Sequence, residues 1–109
     1  GFHPAKGGSI PPGTAIIMFY VYLIVAKNKN KLVSYVGYTN NLIKRLSLHN
    51  QSKGAKFTRG KIWKLIYFDK YNSKNKALKE EYKLKKDYKL RSEIKKKYIN
   101  NENINSFTV

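Results

Sequence analysis

Five side chains in this sequence could together attack and hold a phosphate ester. They are two tyrosines, an arginine and a histidine four residues apart, and a later glutamate: Tyr22, Tyr35, Arg45, His49 and Glu81. Phenol and imidazole groups can move protons, a guanidinium can bind an anion, and a carboxylate can hold a divalent cation. These groups would suffice to hydrolyse a phosphodiester, provided that the fold brings them to one place.

The composition favours a polyanionic partner for one small domain. The 109 residues are enough for a single compact domain, and 23 Lys and Arg against 6 Asp and Glu give a formal charge of +17. Nucleic acid is the first partner to expect, although an anionic membrane or ribosomal RNA would be attracted by the same charge. The interleaved aromatic residues suit nucleic acid better than a bilayer.

Missing residue types exclude several kinds of chemistry. A sequence without cysteine has no disulfide, no thiolate nucleophile and no cysteine zinc site, and a cytoplasmic location is expected. The six acidic residues are scattered, which argues against a two-metal site built from clustered carboxylates. The twelve-residue apolar run at residues 15–26 is well short of the roughly 20 residues that cross a bilayer, so no membrane partner is expected.

Composition also divides the chain into three segments. Residues 1–17 contain all three prolines and are predicted to be a leader, either a flexible extension or a remnant of cloning, with Met18 as a candidate native start. Residues 18–100 form the predicted domain. Residues 101–109 are predicted to be a polar tail, and the polar composition already starts at Asn100.

Three strands and three helices are predicted within the domain. Aromatic and β-branched runs indicate strands at residues 18–26, 32–38 and 62–68, of which the first two form an antiparallel hairpin. Apolar spacing and capping residues indicate a helix at residues 42–49, capped by Thr39, Asn40 or Asn41, and a second at residues 74–86, capped by Ser73. A third, shorter helix is expected from about Ser92, with Ile94 and Tyr98 facing inward. The fold class is therefore α+β, a small three-stranded antiparallel sheet flanked by helices in the order β-β-α-β-α-α.

Side-chain periodicity places most of the candidate residues on two elements. Alternation along the hairpin allows Tyr22 and Tyr35 to lie on the same side if the register permits. Arg45 and His49, four residues apart, share one face of the first helix, with both polar heads expected at the edge of its apolar stripe.

Two adjacent glutamates compete for a metal-binding role. Glu81 is preferred to Glu80 because it falls on the side of the second helix that carries Leu78 and Tyr82, which is predicted to face the sheet. An ordinary alternative for Glu81 is an ion pair with Lys85, one turn later.

Five fragments, in this order, resemble the GIY-YIG nuclease superfamily, particularly its small single-domain bacterial members. They are residues 20–22 (Tyr-Val-Tyr), 35–37 (Tyr-Val-Gly), 39–46 (Thr-Asn-Asn-Leu-Ile-Lys-Arg-Leu) with His49 and Asn50, 53–59 (Lys-Gly-Ala-Lys-Phe-Thr-Arg) and 77–81 (Ala-Leu-Lys-Glu-Glu). The resemblance covers roughly residues 18–86. Each fragment alone is weak, whereas the five in order are specific; the first triplet lacks the Gly-Ile of its namesake.

The resemblance implies a role for each matched position. Tyr22 and Tyr35 would orient or deprotonate the attacking water, Arg45 would hold the scissile phosphate, and Glu81 would bind one Mg²⁺ or Mn²⁺ ion. Since the pKa of a phenol is near 10, a deprotonated tyrosine would need support from neighbouring positive charge. For His49, as the one histidine of the domain, a catalytic or phosphate-contacting role competes with simple helix packing.

The leading hypothesis from the sequence is a metal-dependent DNA endonuclease that selects its substrate by structure or strandedness, as in repair or recombination. Single-stranded, branched and duplex DNA are the candidate substrates, and four basic residues are candidates for binding the nucleic acid: Lys44, Lys56, Arg59 and Lys85. Two alternatives remain open, a basic nucleic-acid-binding module of the same fold without catalysis, and a nuclease that acts on RNA. The sequence does not define an oligomeric state.

Overall fold

The predicted α+β class and element order are confirmed by a computed structural model that describes residues 17–108, with side chains described through residue 102. The elements are β1 Phe19–Asn28, β2 Lys31–Thr39, α1 Leu42–Asn50, β3 Lys64–Tyr71, α2 Lys74–Lys86 and α3 Tyr88–Thr108. A short 3-10 turn, Lys56–Thr58, lies in the loop between α1 and β3. Apart from Ile17, the predicted leader falls outside the described residues.

The sheet is antiparallel with the strand order β2-β1-β3, so the first strand of the chain is the central one. Every residue from Val21 to Ala26 is buried, as expected for a strand covered on both faces. The hairpin between β1 and β2 turns at Lys29 and Asn30, and Lys29 has a left-handed backbone with φ of 60°. Of the polar residues 27–31 between the two predicted strands, only two thus form the turn itself.

The two faces of the sheet carry separate apolar clusters. One face packs Tyr22, Ile24 and Ala26 against Trp63 and against Leu42 and Leu46 of α1. The other face packs a second cluster that includes α2 and α3, with these members: Val21, Leu23, Val36, Ala77, Leu84 and Ile94. The first face, with α1, carries the two candidate tyrosines, and we call it the α1 face.

Two helices begin where their capping residues predict. Asn41 is the N-cap of α1 and accepts a hydrogen bond from the backbone N–H of Lys44 at 3.1 Å. Ser73 caps α2 in the same way by accepting from the backbone N–H of Lys76 at 3.3 Å. These bonds satisfy donors that the first turn of a helix otherwise leaves free.

The third helix differs from the prediction. It begins at Tyr88 rather than near Ser92, because the side chain of Asp87 accepts a hydrogen bond from the backbone N–H of Leu90 at 3.0 Å and so caps the helix earlier. It also continues to Thr108, through most of the segment predicted to be a polar tail, so with 21 residues it is longer than α2 and not shorter as predicted. Ile94 packs inward as predicted.

The third strand and the inward face of α2 also differ from the prediction. The strand starts at Lys64 and ends at Tyr71, not at residues 62–68. On α2, Ala77 and Leu84 are the buried positions, whereas Leu78 and Tyr82 are exposed and Lys86 covers the Tyr82 ring at 4.5 Å. The helix is therefore rotated relative to the predicted orientation.

No helix in the described part of the chain is long and apolar enough to span a membrane.

Candidate active site

Four of the five candidate side chains line one open cavity of about 380 Å³ at the end of the β1–β2 hairpin, namely Tyr22, Tyr35, Arg45 and Glu81. The remaining lining residues come from the two strands, the β2–α1 connection and the start of α2: Phe19, Gly37, Tyr38, Thr39, Asn40 and Lys74. The fifth candidate, His49, lies beneath the cavity floor, where it is hydrogen-bonded to Tyr22.

Strand register brings the two tyrosines together. Tyr22 pairs with Gly37, and Ile24 pairs with Tyr35, so both tyrosine side chains emerge on the α1 face, as predicted. The Tyr22 ring lies directly over Gly37, where an added Cβ would overlap the phenol oxygen. Glycine at position 37 is therefore required for the position of the Tyr22 hydroxyl.

A chain of hydrogen bonds leads from the Tyr22 hydroxyl into the protein. It joins the Tyr22 hydroxyl to His49 Nε2 at 2.8 Å and His49 Nδ1 to Thr58 Oγ1 at 2.8 Å. The Thr58 hydroxyl donates to the Ala55 carbonyl at 2.7 Å. Since that hydroxyl has one proton, its oxygen must accept from Nδ1–H, which leaves Nε2 of His49 as the acceptor for the Tyr22 proton.

The loop between α1 and β3 encloses the histidine. His49 is only 1 % exposed and Thr58 is fully buried. Gly54 passes so close that a Cβ there would overlap the imidazole ring. The loop is fixed at its far end because the Asn50 side chain accepts from the backbone N–H of Trp63 at 2.6 Å and donates to its carbonyl at 3.3 Å.

The predicted position of His49 at the helix edge is wrong for this reason. Arg45 does lie at the exposed edge of α1, but His49, one turn later, is covered by the loop and both of its ring nitrogens have partners. The imidazole is thus placed to exchange a proton with Tyr22 and not to contact a phosphate.

Burial determines the protonation states of this pair. It raises the pKa of Tyr22 well above its ordinary value, with a further increase from neighbouring Tyr35, and these effects outweigh the opposing influence of Arg45. Burial, reinforced by the Arg45 charge, lowers the pKa of His49 below 6.5. At neutral pH the pair is therefore a protonated phenol that donates to a neutral imidazole.

Glu81 reaches the cavity and also forms its ordinary ion pair. Its side chain is 15 % exposed and lies 3.5 Å from Lys85 Nζ, measured to Oε2. Glu80 instead lines a separate groove on the other side of α2 and pairs with Lys83 at 3.2 Å. The preference for Glu81 therefore agrees with the geometry, although the orientation of α2 from which it was inferred is wrong.

The cavity offers a divalent cation one carboxylate. Within the described residues, no group of three or more His, Cys, Asp or Glu side chains lies close enough to hold a metal. Mg²⁺ commonly binds through one or two carboxylates and completes its coordination with waters and substrate phosphate oxygens. The donor set around Glu81 fits such an ion and does not fit a cation that needs a full cage of protein ligands.

None of the four basic residues predicted to bind nucleic acid lines the cavity. Lys44 borders a shallow groove on the outer side of α1, and Lys56 and Arg59 are exposed beside the 3-10 turn. Lys85 is paired with Glu81. A basic residue that the sequence analysis did not single out, Lys74, does line the cavity from the first turn of α2.

Sequence reasoning also missed Thr58 and Gly54. Both lie in the fragment at residues 53–59 that resembles the GIY-YIG superfamily, but only its basic residues were considered. The available signal was a hydroxyl residue nine positions after the histidine, within a loop that contains a glycine.

Comparisons with known proteins find relatives that match about three fifths of the chain. The chain is 41 % identical over 66 residues to a UPF0213 protein of Oceanobacillus iheyensis, a match that covers 60 % of this chain and 73 % of the relative. A UPF0213 protein of Clostridium perfringens is 44 % identical over 66 residues, covering 60 % and 68 %. One of Lactiplantibacillus plantarum is 40 % identical over 72 residues, covering 63 % and 68 %. No solved structure matches the chain significantly.

The family assignment follows from a match that spans most of the domain. The GIY-YIG catalytic domain matches residues 18–99, which include the whole cavity and the hydrogen-bonded chain behind it. The chain therefore belongs to the GIY-YIG family, a superfamily of nucleases.

Proposed function

We propose that this protein is a divalent-metal-dependent DNA endonuclease that hydrolyses phosphodiester bonds by direct attack of water. The observation that carries the proposal is the route from the Tyr22 hydroxyl to a neutral, buried acceptor, His49 Nε2, 2.8 Å away. The same cavity holds a cationic and an anionic side chain, Arg45 and Glu81. A proton acceptor, an anion-binding group and a cation-binding group thus surround one space that a phosphate can enter.

The proton route begins at the attacking water. Water held against the cavity tyrosines transfers a proton to the Tyr22 oxygen while the Tyr22 proton moves to His49 Nε2. As the water oxygen bonds to phosphorus, the P–O bond to the leaving sugar oxygen breaks, and that oxygen takes its proton from solvent water. The raised pKa of Tyr22 disfavours a free phenolate. The two proton transfers therefore occur together, so that no phenolate forms in advance. Thr58 keeps Nδ1 protonated, and so keeps Nε2 free to accept.

Charged groups at the cavity wall deal with the phosphate. Arg45 binds a nonbridging oxygen of the scissile group and neutralises the charge that builds up as water attacks. Glu81 would hold the metal ion, which when bound supplies Lewis-acid stabilisation of phosphate charge. Lys74, at the start of α2, adds a second cation next to the incoming strand.

We infer that the substrate is intracellular DNA selected by shape or strandedness, such as a repair or recombination intermediate. The formal charge of +17 supplies strong attraction for the phosphate backbone, which carries no sequence information by itself.

Cleavage of single-stranded, duplex and branched DNA in Mg²⁺ and in Mn²⁺ tests the proposal. Glu81→Gln is expected to lower the rate at least about 100-fold, because several kcal/mol of charge stabilisation depend on the bound ion. Tyr22→Phe is expected to cost roughly 100- to 10,000-fold, the usual contribution of a general acid–base group. Glu80→Gln and Tyr67→Phe, on the opposite side of the sheet and α2, are matched controls that should cut normally.

Two outcomes would replace the proposal. Binding without metal-dependent cleavage, with Glu81→Gln binding as the parent protein does, would indicate a non-catalytic nucleic-acid-binding module. Faster cleavage of an RNA strand than of DNA of the same sequence would identify RNA as the substrate, because the 2′-hydroxyl is the group that distinguishes the two.

A further inference from the structure

Two aromatic rings lie on the α1 face of the sheet outside both apolar clusters. Tyr20 of β1 and Phe68 of β3 meet edge to face, with ring centroids 6.1 Å apart and planes at 74°. Phe68 is 49 % exposed, although it lies in the middle of a strand. We call this pair, Tyr20 and Phe68, the aromatic shelf.

The shelf adjoins the candidate active site across one strand. Phe68 pairs with Tyr22 on one side of the central strand, and Gly37 pairs with Tyr22 on the other. Strands in a sheet are about 4.8 Å apart, so the backbone of the shelf lies roughly 10 Å from the cavity at Gly37. That separation corresponds to about three stacked nucleotides at 3.4 Å each, and to fewer when the strand is extended.

Packing of Tyr22 explains why Phe68 stays uncovered. The Tyr22 ring leans over Gly37, away from β3, and α1 packs over Ile24 and Leu65 further along the sheet. The part of β3 beyond Leu65 therefore has no described helix above it on this face. Exposure of one ring is common in this protein, but two contacting rings beside a polar cavity offer a flat apolar surface to a ligand.

A lysine lies beside the shelf, and an arginine lies at the adjoining cavity. Lys70 pairs with Tyr20, so its side chain starts on the same face, and it is exposed. Arg45 borders both the cavity and the neighbouring crevice that contains Tyr22 and Leu65. Exposed aromatic rings interleaved with cations are the features that bind single-stranded nucleic acid.

We propose that the aromatic shelf stacks an unpaired base of the strand whose phosphate enters the cavity, so that the substrate must carry a single-stranded segment next to the cleavage site. This inference rests on the proposed function, because it places the base relative to that cavity. Bases within a duplex already stack on each other and present only their edges, so the shelf discriminates against a continuous duplex.

Binding without metal tests the shelf separately from catalysis. Fluorescence anisotropy in EDTA would compare a labelled oligothymidylate of about 12 nucleotides with a blunt duplex of equal length. Phe68→Ala is expected to weaken single-strand binding roughly 5- to 100-fold, the usual loss for one base–aromatic stack, and to leave duplex binding unchanged. Phe68→Trp should retain single-strand affinity because it keeps a ring. Tyr88→Ala removes a still more exposed ring from α3 and should have no effect.

An abasic nucleotide provides the decisive comparison. One abasic nucleotide is placed at each position of the oligonucleotide in turn. At one position it should weaken binding to the parent protein but cause no further loss of affinity in Phe68→Ala, which already lacks the stacking ring. If Phe68→Ala binds every single-stranded probe as tightly as Tyr88→Ala does, the shelf is not a base-binding site, whatever the cleavage assays show. Conversely, if Phe68→Ala weakens single-strand binding as expected but the protein cuts no DNA, the base-binding role of the shelf stands and the proposed nuclease activity does not.

Discussion

Replacing Thr58 with valine removes one hydroxyl from the buried chain of hydrogen bonds and nearly preserves the side-chain shape. The hydroxyl accepts from His49 Nδ1 and donates to the Ala55 carbonyl, and no part of Thr58 is exposed to water. Without it, Nδ1–H has lost its acceptor, and the tautomer with the proton on Nε2 is no longer disfavoured. That tautomer cannot accept the Tyr22 proton, so the proposed proton route is blocked in a fraction of the molecules.

The expected magnitudes follow from these contacts. Leaving a buried polar group unsatisfied costs about 1–3 kcal/mol of stability, which a domain of ordinary stability survives. Loss of the partner that orients a metal-binding histidine typically costs about 10- to 100-fold, and we expect a loss of similar size for His49. Thr58→Ser keeps the hydroxyl and should therefore retain most of the rate, which separates the hydrogen bond from packing of the methyl group.

Three measurements on Thr58→Val distinguish a positioning role from a purely structural one. Thermal unfolding reports the stability loss, single-turnover cleavage reports the chemical step, and ¹⁵N chemical shifts of the His49 ring report the tautomer. We expect a slower chemical step with unchanged DNA binding and a shift of the Nε2 resonance towards its protonated form. A variant that cuts at the parent rate, or that keeps the parent tautomer while losing activity, would refute the proposed route.

Three further predictions concern groups around the same cavity. Because the pKa of His49 is lowered, the acid limb of the pH–rate profile should lie below pH 6.5. The stability linked to this residue should be complete above pH 6.5 and decline as the pH falls through its folded-state pKa. An acid limb above pH 6.5 would contradict the burial argument. Gly54→Ala should displace the imidazole and lower activity about as much as His49→Ala, as cleavage assays and crystal structures can check. Lys85→Gln releases Glu81 and should lower the Mg²⁺ concentration for half-maximal cleavage about twofold, because such a half-exposed ion pair contributes only a few tenths of a kcal/mol. Lys83→Gln, which breaks the pair with Glu80, should leave that Mg²⁺ concentration unchanged.

Local patterns were sufficient to predict the parts of the site that depend on one element or on two adjacent strands. Side chains along a strand alternate between the two faces of the sheet. The register of the hairpin therefore decides whether Tyr22 and Tyr35 lie on the same face, as they do here. Helix capping is similarly local, which is why Ser73 and the start of α2 could be read directly from the sequence.

Features that depend on packing between distant elements were missed. The burial of His49 depends on the loop that folds back over α1, where Gly54 allows close approach and Asn50 fixes the loop to Trp63. The rotation of α2 could not be inferred from a helix whose many lysines dilute the apolar stripe, since Leu78 and Tyr82 look as inward-facing as Leu84 does. Depth in the core is a property of the assembled layers and not of helical spacing.

Depth also separates the two kinds of work that the proposed reaction requires. The groups that pass a proton, Tyr22 and His49, and the Thr58 hydroxyl that orients the histidine are buried and neutral, and each bonds to the next, so their burial carries little desolvation cost. The groups that carry formal charge, Arg45 and Glu81, remain closer to water at the cavity wall, because a buried unpaired charge would be far more costly. Ionic strength should therefore weaken the encounter with DNA and leave the chemical step nearly unchanged, since salt screens exposed charges much more strongly than a buried neutral chain.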